Sequence, residues 1–444
     1  MLDIQKRLTN SFYALLSLPC TAMGFALCVQ IAALSWILNT KYGFNLEEIG
    51  YVWAAGPIAG ILGQPLVGLL SDNIWFWNGR RRPFILVGGT IAALMILALP
   101  FLDVISSSLG IDSIIGVAIT VALTLDLAIN ISFNPTRSII ADVTPQGDMR
   151  TKGFTIMQTV SGFFGVMAYI IGAFISNYTL IYVGAILVFV FSIIPPFYIT
   201  EPRVLDEERT LDDFEEDAPL DETTKTEKLQ KTNLPEFLKV CLAHAFTWLG
   251  VQTMFVYTFG YVKTVIMGHS ISTQLEQAEN DKIGFILGVA FAALNAVGFL
   301  FPALVLQPIT ERFGRVKTHM SCIAIMAIGY FLLFLYGQTT TSLVVLMCVV
   351  GIGWAAVVSL PFAIMSETVD QSRMGFYMGV FNLSVVLPQL VASGLGGYIE
   401  HQADKAVIFQ ISAISLAISA VLWLLVKEQY SDSASSSMAG GGGH

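Results

Sequence analysis

The chain has 444 residues, 55% of them apolar and only 12% charged, with a formal net charge of −9. An ordinary soluble domain, which carries about 25% charged residues, is excluded by that composition. The composition is that of an integral membrane protein, and no nucleic-acid partner is expected.

Apolar stretches long enough to cross a hydrocarbon core of about 30 Å recur along nearly the whole chain. In chain order they predict twelve spans. Spans 1 to 6 fall at 12–38, 47–71, 83–102, 113–141, 151–177 and 178–200, and spans 7 to 12 at 236–266, 282–310, 317–337, 341–366, 374–399 and 405–426. The first run is already full length and follows Lys6 and Arg7, so it is expected to insert as span 1 rather than act as a cleaved leader. Cys20, Cys28, Cys241, Cys322 and Cys348 all fall in apolar stretches without metal-ligand spacing, and read as small core residues.

Basic residues set the expected orientation. Lys6 and Arg7 precede span 1, Arg80 to Arg82 separate spans 2 and 3, and Arg150 and Lys152 separate spans 4 and 5. Arg312, Arg315 and Lys317 follow span 8, and Arg373 follows span 10. The alternate loops carry only Lys41, Lys282 and Lys405, so both termini are predicted cytoplasmic, in a plasma (inner) membrane. Residues 201–234 hold 12 acidic and 5 basic residues, and so most of the net charge. They read as a solvated cytoplasmic linker between a bundle at 1–200 and a second at 235–430. The end, 431–444, reads as a flexible tail or an expression remnant.

The two halves echo one another. NPTRSIIADV (134–143) followed by MRTKGFTIMQ (149–158) has its counterpart in LPFAIMSETV (360–369) followed by SRMGFYMGVF (372–381). Each pair has a proline late in one span, an acidic residue near its end, a basic loop and Gly-Phe opening the next span. A second echo pairs SDNIWFWNGRRR after span 2 with TERFGRVK after span 8. Two repeats around a central site are the plan of a secondary transporter.

Span 4 carries the main chemical signal. At about 100° per residue, Asn130, Asn134 and Arg137 lie roughly 40°, 80° and 20° around the helix from Asp126, so all four share one stripe. Asp126 is about 20 Å in from the outer end of the span. A charge near mid-membrane costs about 2.5–3.5 kcal/mol on insertion scales, so a functional role is the default reading. A carboxylate in a gated cavity holds a proton when water is removed and releases it when the site opens. Arg137 could meet a substrate or carboxylate, or could snorkel to the interface.

Sugar recognition calls for planar amides toward hydroxyls and aromatic faces toward C–H surfaces. The candidates are Gln30, Trp53, Gln64, Asn130 and Gln158 in the first half. Gln252, Tyr257, Asn295, Asn382 and Gln389 are their counterparts in the second. Each could equally form a hydrogen bond between helices. His244 and His269 are weak candidates, and Trp53 and Trp248 could equally be packing or interfacial aromatics. Gly56, Gly60 and Gly63 have the small-residue spacing that lets span 2 pack closely.

The motif GLLSDNIWFWNGRRR (68–82) resembles the signature loop of the major facilitator superfamily. Its long gap between Asp72 and Gly79, with Pro83 and Phe84 following, is similar to sucrose–proton symporters and the related glycoside–pentoside–hexuronide cation symporters. YVWAAGPIAGILGQPLVG (51–68), VSLPFAIMSE (358–367) and GVFNLSVVLPQLVAS (379–393) resemble the same group. Asp126, Asn130, Pro135, Arg137 and Asp142 fit its spacing in span 4. Ile129, Phe133, Asn134, Ser35 and Trp36 depart from it, which bears on the identity of the substrate.

The resemblance implies an all-α fold of twelve transmembrane helices in two six-helix bundles, and places the proton site at Asp126. It also implies that Asp72, Arg80, Arg81, Arg82 and Asp142 form a cytoplasmic latch, mirrored by Glu311, Arg312, Arg315 and Glu367. The expected function is proton-coupled symport of a sugar, a glucoside disaccharide such as sucrose or maltose, by a monomer without a cofactor. Residue types alone leave sodium as the alternative ion. A carrier of a non-sugar solute and a non-transporting sensor are the rival readings. An enzyme is not expected, since no nucleophile–base set, metal motif or phosphate loop is present.

Overall fold

The computed structural model describes residues 8–61, 63, 75–144, 148–201, 232–369 and 374–428. Gln64, Asp72, Arg373, the basic pair before span 1, linker residues 202–231 and the tail therefore lie outside the described residues.

Within them the chain is almost wholly helical. Span 1 is the helix Asn10–Thr40, begun by Thr9, whose hydroxyl accepts the Phe12 N–H at 3.3 Å. Span 2 opens at Leu46 with a reciprocal cap, in which Asn45 Oδ1 accepts from Glu48 N–H and Glu48 accepts from Asn45 N–H. Such caps satisfy the orphan donors of a first turn, which lipid cannot. Span 3 runs through Arg82–Ala98 with Pro83 in its first turn, where the missing N–H costs nothing. It continues past the predicted end at 102, through a tightened turn at Pro100 and on to Leu109, until Gly110 takes φ +66.

Spans 4, 5 and 6 are the helices Ile114–Val143, Asp148–Phe174 and Asn177–Tyr198. Span 7, Leu234–Tyr261, ends in a widened π-turn at Val262–Ile266. Span 8, Gln277–Phe301, passes through a second π-turn where Pro302 removes a donor, then Gln307–Phe313. Spans 9 and 10 are Arg315–Tyr336 and Thr340–Ser366. Span 11 is broken after Ser393 and resumes at Gly396–His401, and span 12 is Val407–Trp423. Ten of these helices are long and apolar enough to cross a membrane. The other two are span 2, only part of which is described, and the shorter span 12.

Spans 1, 3, 4, 5 and 6 pack on one another, as do spans 7 to 12, and the broadest seam between the two groups joins spans 5 and 8. Large apolar side chains such as Leu94, Ile186, Leu242, Ile328 and Val421 stay exposed on the outer faces. On a chain of this composition they mark the surface that lipid covers.

At the end where span 1 terminates, the two groups are bonded across the seam. Ser35 Oγ donates to Val256 O at 3.0 Å and Trp36 Nε1 to Asn280 O at 2.8 Å. Leu46 N–H donates to Glu400 at 3.0 Å. Lys263, 2% exposed, sends its ammonium to Asn39 Oδ1 at 2.7 Å, Ile271 O at 2.8 Å and Thr273 O at 2.7 Å. Asn39 in turn donates to Ile271 O and Phe44 O. Together these bonds form a seal.

Glycine makes the seal possible. A Cβ on Gly50 would lie 2.2 Å from the Ser393 carbonyl oxygen, a backbone atom that cannot swing aside. Gly50→Val is therefore expected to keep this end open. Crosslinking between cysteines placed at Glu47 and Gly397, whose contact belongs to the sealed state, should fall severalfold in the variant.

Candidate functional site

Asp126 lies in the middle of span 4 and is 5% exposed. Gln30 of span 1 donates its amide to Asp126 Oδ2 at 3.0 Å, and no cation pairs with the carboxylate among the described residues. Gly56 of span 2 leaves the room: a Cβ there would sit 3.3 Å from the same oxygen. Gly63 leaves similar room beside Asn130, and a Cβ on Gly60 would meet Val386 of span 11. The glycine spacing in span 2 thus serves packing against both span 4 and span 11.

One turn along span 4, Asn130 donates to the Asp126 carbonyl at 2.8 Å and is half-buried. Asn134 and Arg137 are exposed, the Arg137 guanidinium lying 4.1 Å from the Phe133 ring centroid. Burial along the stripe therefore falls from Asp126 toward the Val143 end. Gln158 on span 5 and Val358 and Ser359 on span 10 are exposed as well.

The second half carries an aromatic group with amides. Asn295 of span 8 accepts from Trp354 Nε1 of span 10 at 3.3 Å. Trp354 is edge-on to Trp248, at 6.1 Å and 83°, and to Phe255, at 5.4 Å and 78°. The repeat that aligns 134–143 with 360–369 puts position 352 opposite Asp126, so Trp354 lies about 3 Å of helical rise from the matching depth. Gln389 of span 11 approaches Gln252 of span 7 at 3.4 Å. Asn382 is half-buried on span 11.

Two sequence candidates sit elsewhere. Tyr257 is fully buried and donates to Ser393 O at 2.6 Å, tying spans 7 and 11. Trp53 donates to Ser35 Oγ at 2.8 Å. Both are placed in the seal.

At the opposite end, Arg81 Nε meets Asp142 Oδ2 at 3.0 Å, both side chains largely buried. One residue that sequence reasoning missed is Glu201, counted with the solvated linker. It is 7% exposed, and its carboxylate accepts the backbone N–H groups of Arg80, Arg81 and Arg82 at 2.7, 2.7 and 2.8 Å. A carboxylate at a helix start also answers the helix dipole. Glu201→Ala is expected to cost about 1–3 kcal/mol by stranding buried donors, seen as a lowered unfolding temperature in detergent that Glu201→Gln partly restores.

The mirror set is only partly assembled. Arg315 pairs with Glu367, and its backbone N–H reaches Glu428 at 2.5 Å. Burial holds the Glu367 carboxyl above its ordinary value while Arg315 pulls it back. Glu311 instead accepts from Gln307, and Arg312 lies over the Phe313 ring.

Two helical groups closed together at one end, with a carboxylate buried at the middle of a span, define a polytopic membrane protein of the carrier kind. The chain belongs to the Major Facilitator Superfamily, whose family model matches residues 15–301 and 281–441. Similar proteins include the sucrose transport protein SUT5 of Oryza sativa subsp. indica, 24% identical over 90% of this chain and 84% of its own. The sucrose transport protein SUC3 of Arabidopsis thaliana is also 24% identical, over 86% and 82%. The general alpha-glucoside permease of Schizosaccharomyces pombe is 26% identical over 53% and 47%. Among solved structures, a mutant of the nucleoside transporter NupG has a TM-score of 0.69 at 13% identity, covering 94% of this chain and 100% of its own. The xylose transporter XylE from E. coli, inward open, scores 0.68 at 15% identity, over 94% and 96%. These relatives are transporters, not enzymes, and the fold is the one that the signature loop implied.

Proposed function

We propose that the chain carries a sugar, a glucoside disaccharide such as sucrose or maltose, in symport with protons, and that Asp126 is the group that takes and gives up the proton. The observation that carries the coupling is the buried Asp126 carboxylate with a single amide donor, Gln30, and no cationic partner among the described residues. The sucrose and alpha-glucoside relatives supply the substrate class.

Positively charged loops on the inner side make the sealed end the extracellular one. The state described is then closed to the outside, with the stripe below Asp126 open toward the cytoplasm. On this reading Gln30 and Asn130 form one wall of the sugar site, and Asn295, Trp354 and Trp248 form the other, where indole faces cover sugar C–H surfaces. Gln252, Gln389 and Asn382 extend that wall. Protonation from outside neutralises Asp126, so the loaded site can close without burying a charge. Opening to cytoplasmic water lets the proton leave, which resets the carrier. Arg81–Asp142 and Arg315–Glu367 lie at the end that must close when the outer seal opens.

The test is substrate-dependent proton uptake by proteoliposomes across a panel of saccharides, with sodium as a control ion. Proton entry with sucrose or maltose supports the reading. A panel in which no saccharide moves protons or accumulates, while a non-sugar solute does, overturns the sugar assignment.

A further inference from the structure

We propose that His244 is a positioning residue for the sugar wall, holding the Trp248 indole in place by accepting its N–H. The inference rests on the sugar-site reading above. His244 lies on span 7 one turn before Trp248 and is 3% exposed. Trp248 Nε1 donates to His244 Nε2 at 2.8 Å. The imidazole is itself fixed by stacking on Phe381 of span 11, at 4.9 Å between centroids and 9° between planes. Two spans thereby aim one indole at Trp354, which Asn295 of a third span anchors in the same manner.

The chemistry explains why a histidine stands here. A buried indole N–H needs an acceptor, and inside a helix the backbone carbonyls are already engaged. Neutral imidazole supplies one lone pair and its ring can stack, whereas imidazolium has no lone pair to offer. The bond therefore requires Nε2 unprotonated, with the proton on Nδ1, a buried atom without a hydrogen-bond partner among the described residues. Another titratable group near this region is His319 of span 9, fully buried with its ring 4.4 Å from Trp423 of span 12. No hydrogen bond or ion pair joins His244 to a carboxylate among the described residues, so nothing there offsets a positive imidazole.

A histidine that only filled space would be replaceable by any ring of its size. The experiment compares sugar KM and Vmax for the full-length protein in proteoliposomes, with His244→Phe, His244→Gln, Trp248→Phe and the double variant His244→Phe/Trp248→Phe. His244→Phe keeps the stack but removes the acceptor, and should raise KM about fivefold with Vmax held within about twofold. His244→Gln, whose amide oxygen can accept the indole N–H, should recover most of the loss. In the Trp248→Phe background there is no N–H to accept, and His244→Phe should add nothing. An unchanged KM in His244→Phe, or an equal effect in both backgrounds, overturns the proposal.

A readout independent of any sugar separates this inference from the reading it rests on. With the seven tryptophans labelled by nitrogen-15 in nanodiscs, the indole N–H signal missing from Trp248→Phe should move in His244→Phe and stay near its place in His244→Gln. A signal unmoved in His244→Phe sinks the hydrogen bond even if sugar is carried. A signal that moves while no saccharide is transported leaves the bond standing and removes the sugar site.

Discussion

Asp126→Asn is expected to abolish uphill accumulation while sparing exchange of sugar across the membrane. Asparagine keeps the size of the side chain and an oxygen for the Gln30 amide, 3.0 Å away in the native protein, but cannot load and release a proton. With one proton per sugar, a gradient of about two pH units supports up to about a 100-fold ratio, each unit being about 1.4 kcal/mol. The ratio in the variant should fall to about 1, whatever the gradient. Counterflow, in which labelled sugar exchanges for unlabelled, should persist because the neutral side chain mimics the loaded carrier. Asp126→Asn vesicles that still concentrate sugar would remove the coupling role. Loss of counterflow as well as accumulation would mean that the carboxylate binds sugar rather than drives it.

The twelve spans were legible because lipid imposes one constraint everywhere: a backbone that satisfies itself and an apolar length to match the core. What hydropathy could not show was where a helix changes its winding. The π-turns at Val262–Ile266 and Pro302–Leu306 fall inside runs that read as uniform. Asp126 stood out because a charge in mid-span is costly, and the glycines of span 2 because their spacing is regular. Gln30 could only be one amide among many until span 1 was packed against span 4. Glu201 was misread for the opposite reason: it shares its composition with an acidic linker, and only the fold reveals three backbone donors converging on it. Trp53 and Tyr257 carry the right chemistry for a sugar, yet their polar atoms are spent on the seal. Residue type narrows the candidates, and the helix face and the partner decide the role.

Lys263 had a sequence signal of its own, a lysine in the last turn of a predicted span, and its replacement by methionine is expected to open the sealed end. An ammonium has three donors, and here each finds an oxygen at 2.7 to 2.8 Å with no carboxylate involved. Two of those oxygens belong to the loop after span 7. The third, Asn39 Oδ1, belongs to span 1, so that bond exists only while the two groups are closed together. Lys263→Met removes it and leaves the buried Asn39 Oδ1 without that donor, a penalty confined to the closed state, while Ile271 O keeps the Asn39 amide and Thr273 lies at an exposed position. Losing a buried charged donor costs about 1–3 kcal/mol, which shifts the closed-to-open ratio about 5- to 150-fold. Spin labels at Asp112 and Ser272, exposed positions on opposite sides of the seam, report the change. Their distance distribution should move to longer values in Lys263→Met. Asn39→Ala should produce a smaller shift in the same direction, and the two changes together should fall short of their sum, because they remove one shared bond. An unchanged distribution in Lys263→Met would mean that the apolar and backbone contacts around Gly50 and Gly396 hold the seal without the lysine. Uptake would then be limited elsewhere in the cycle.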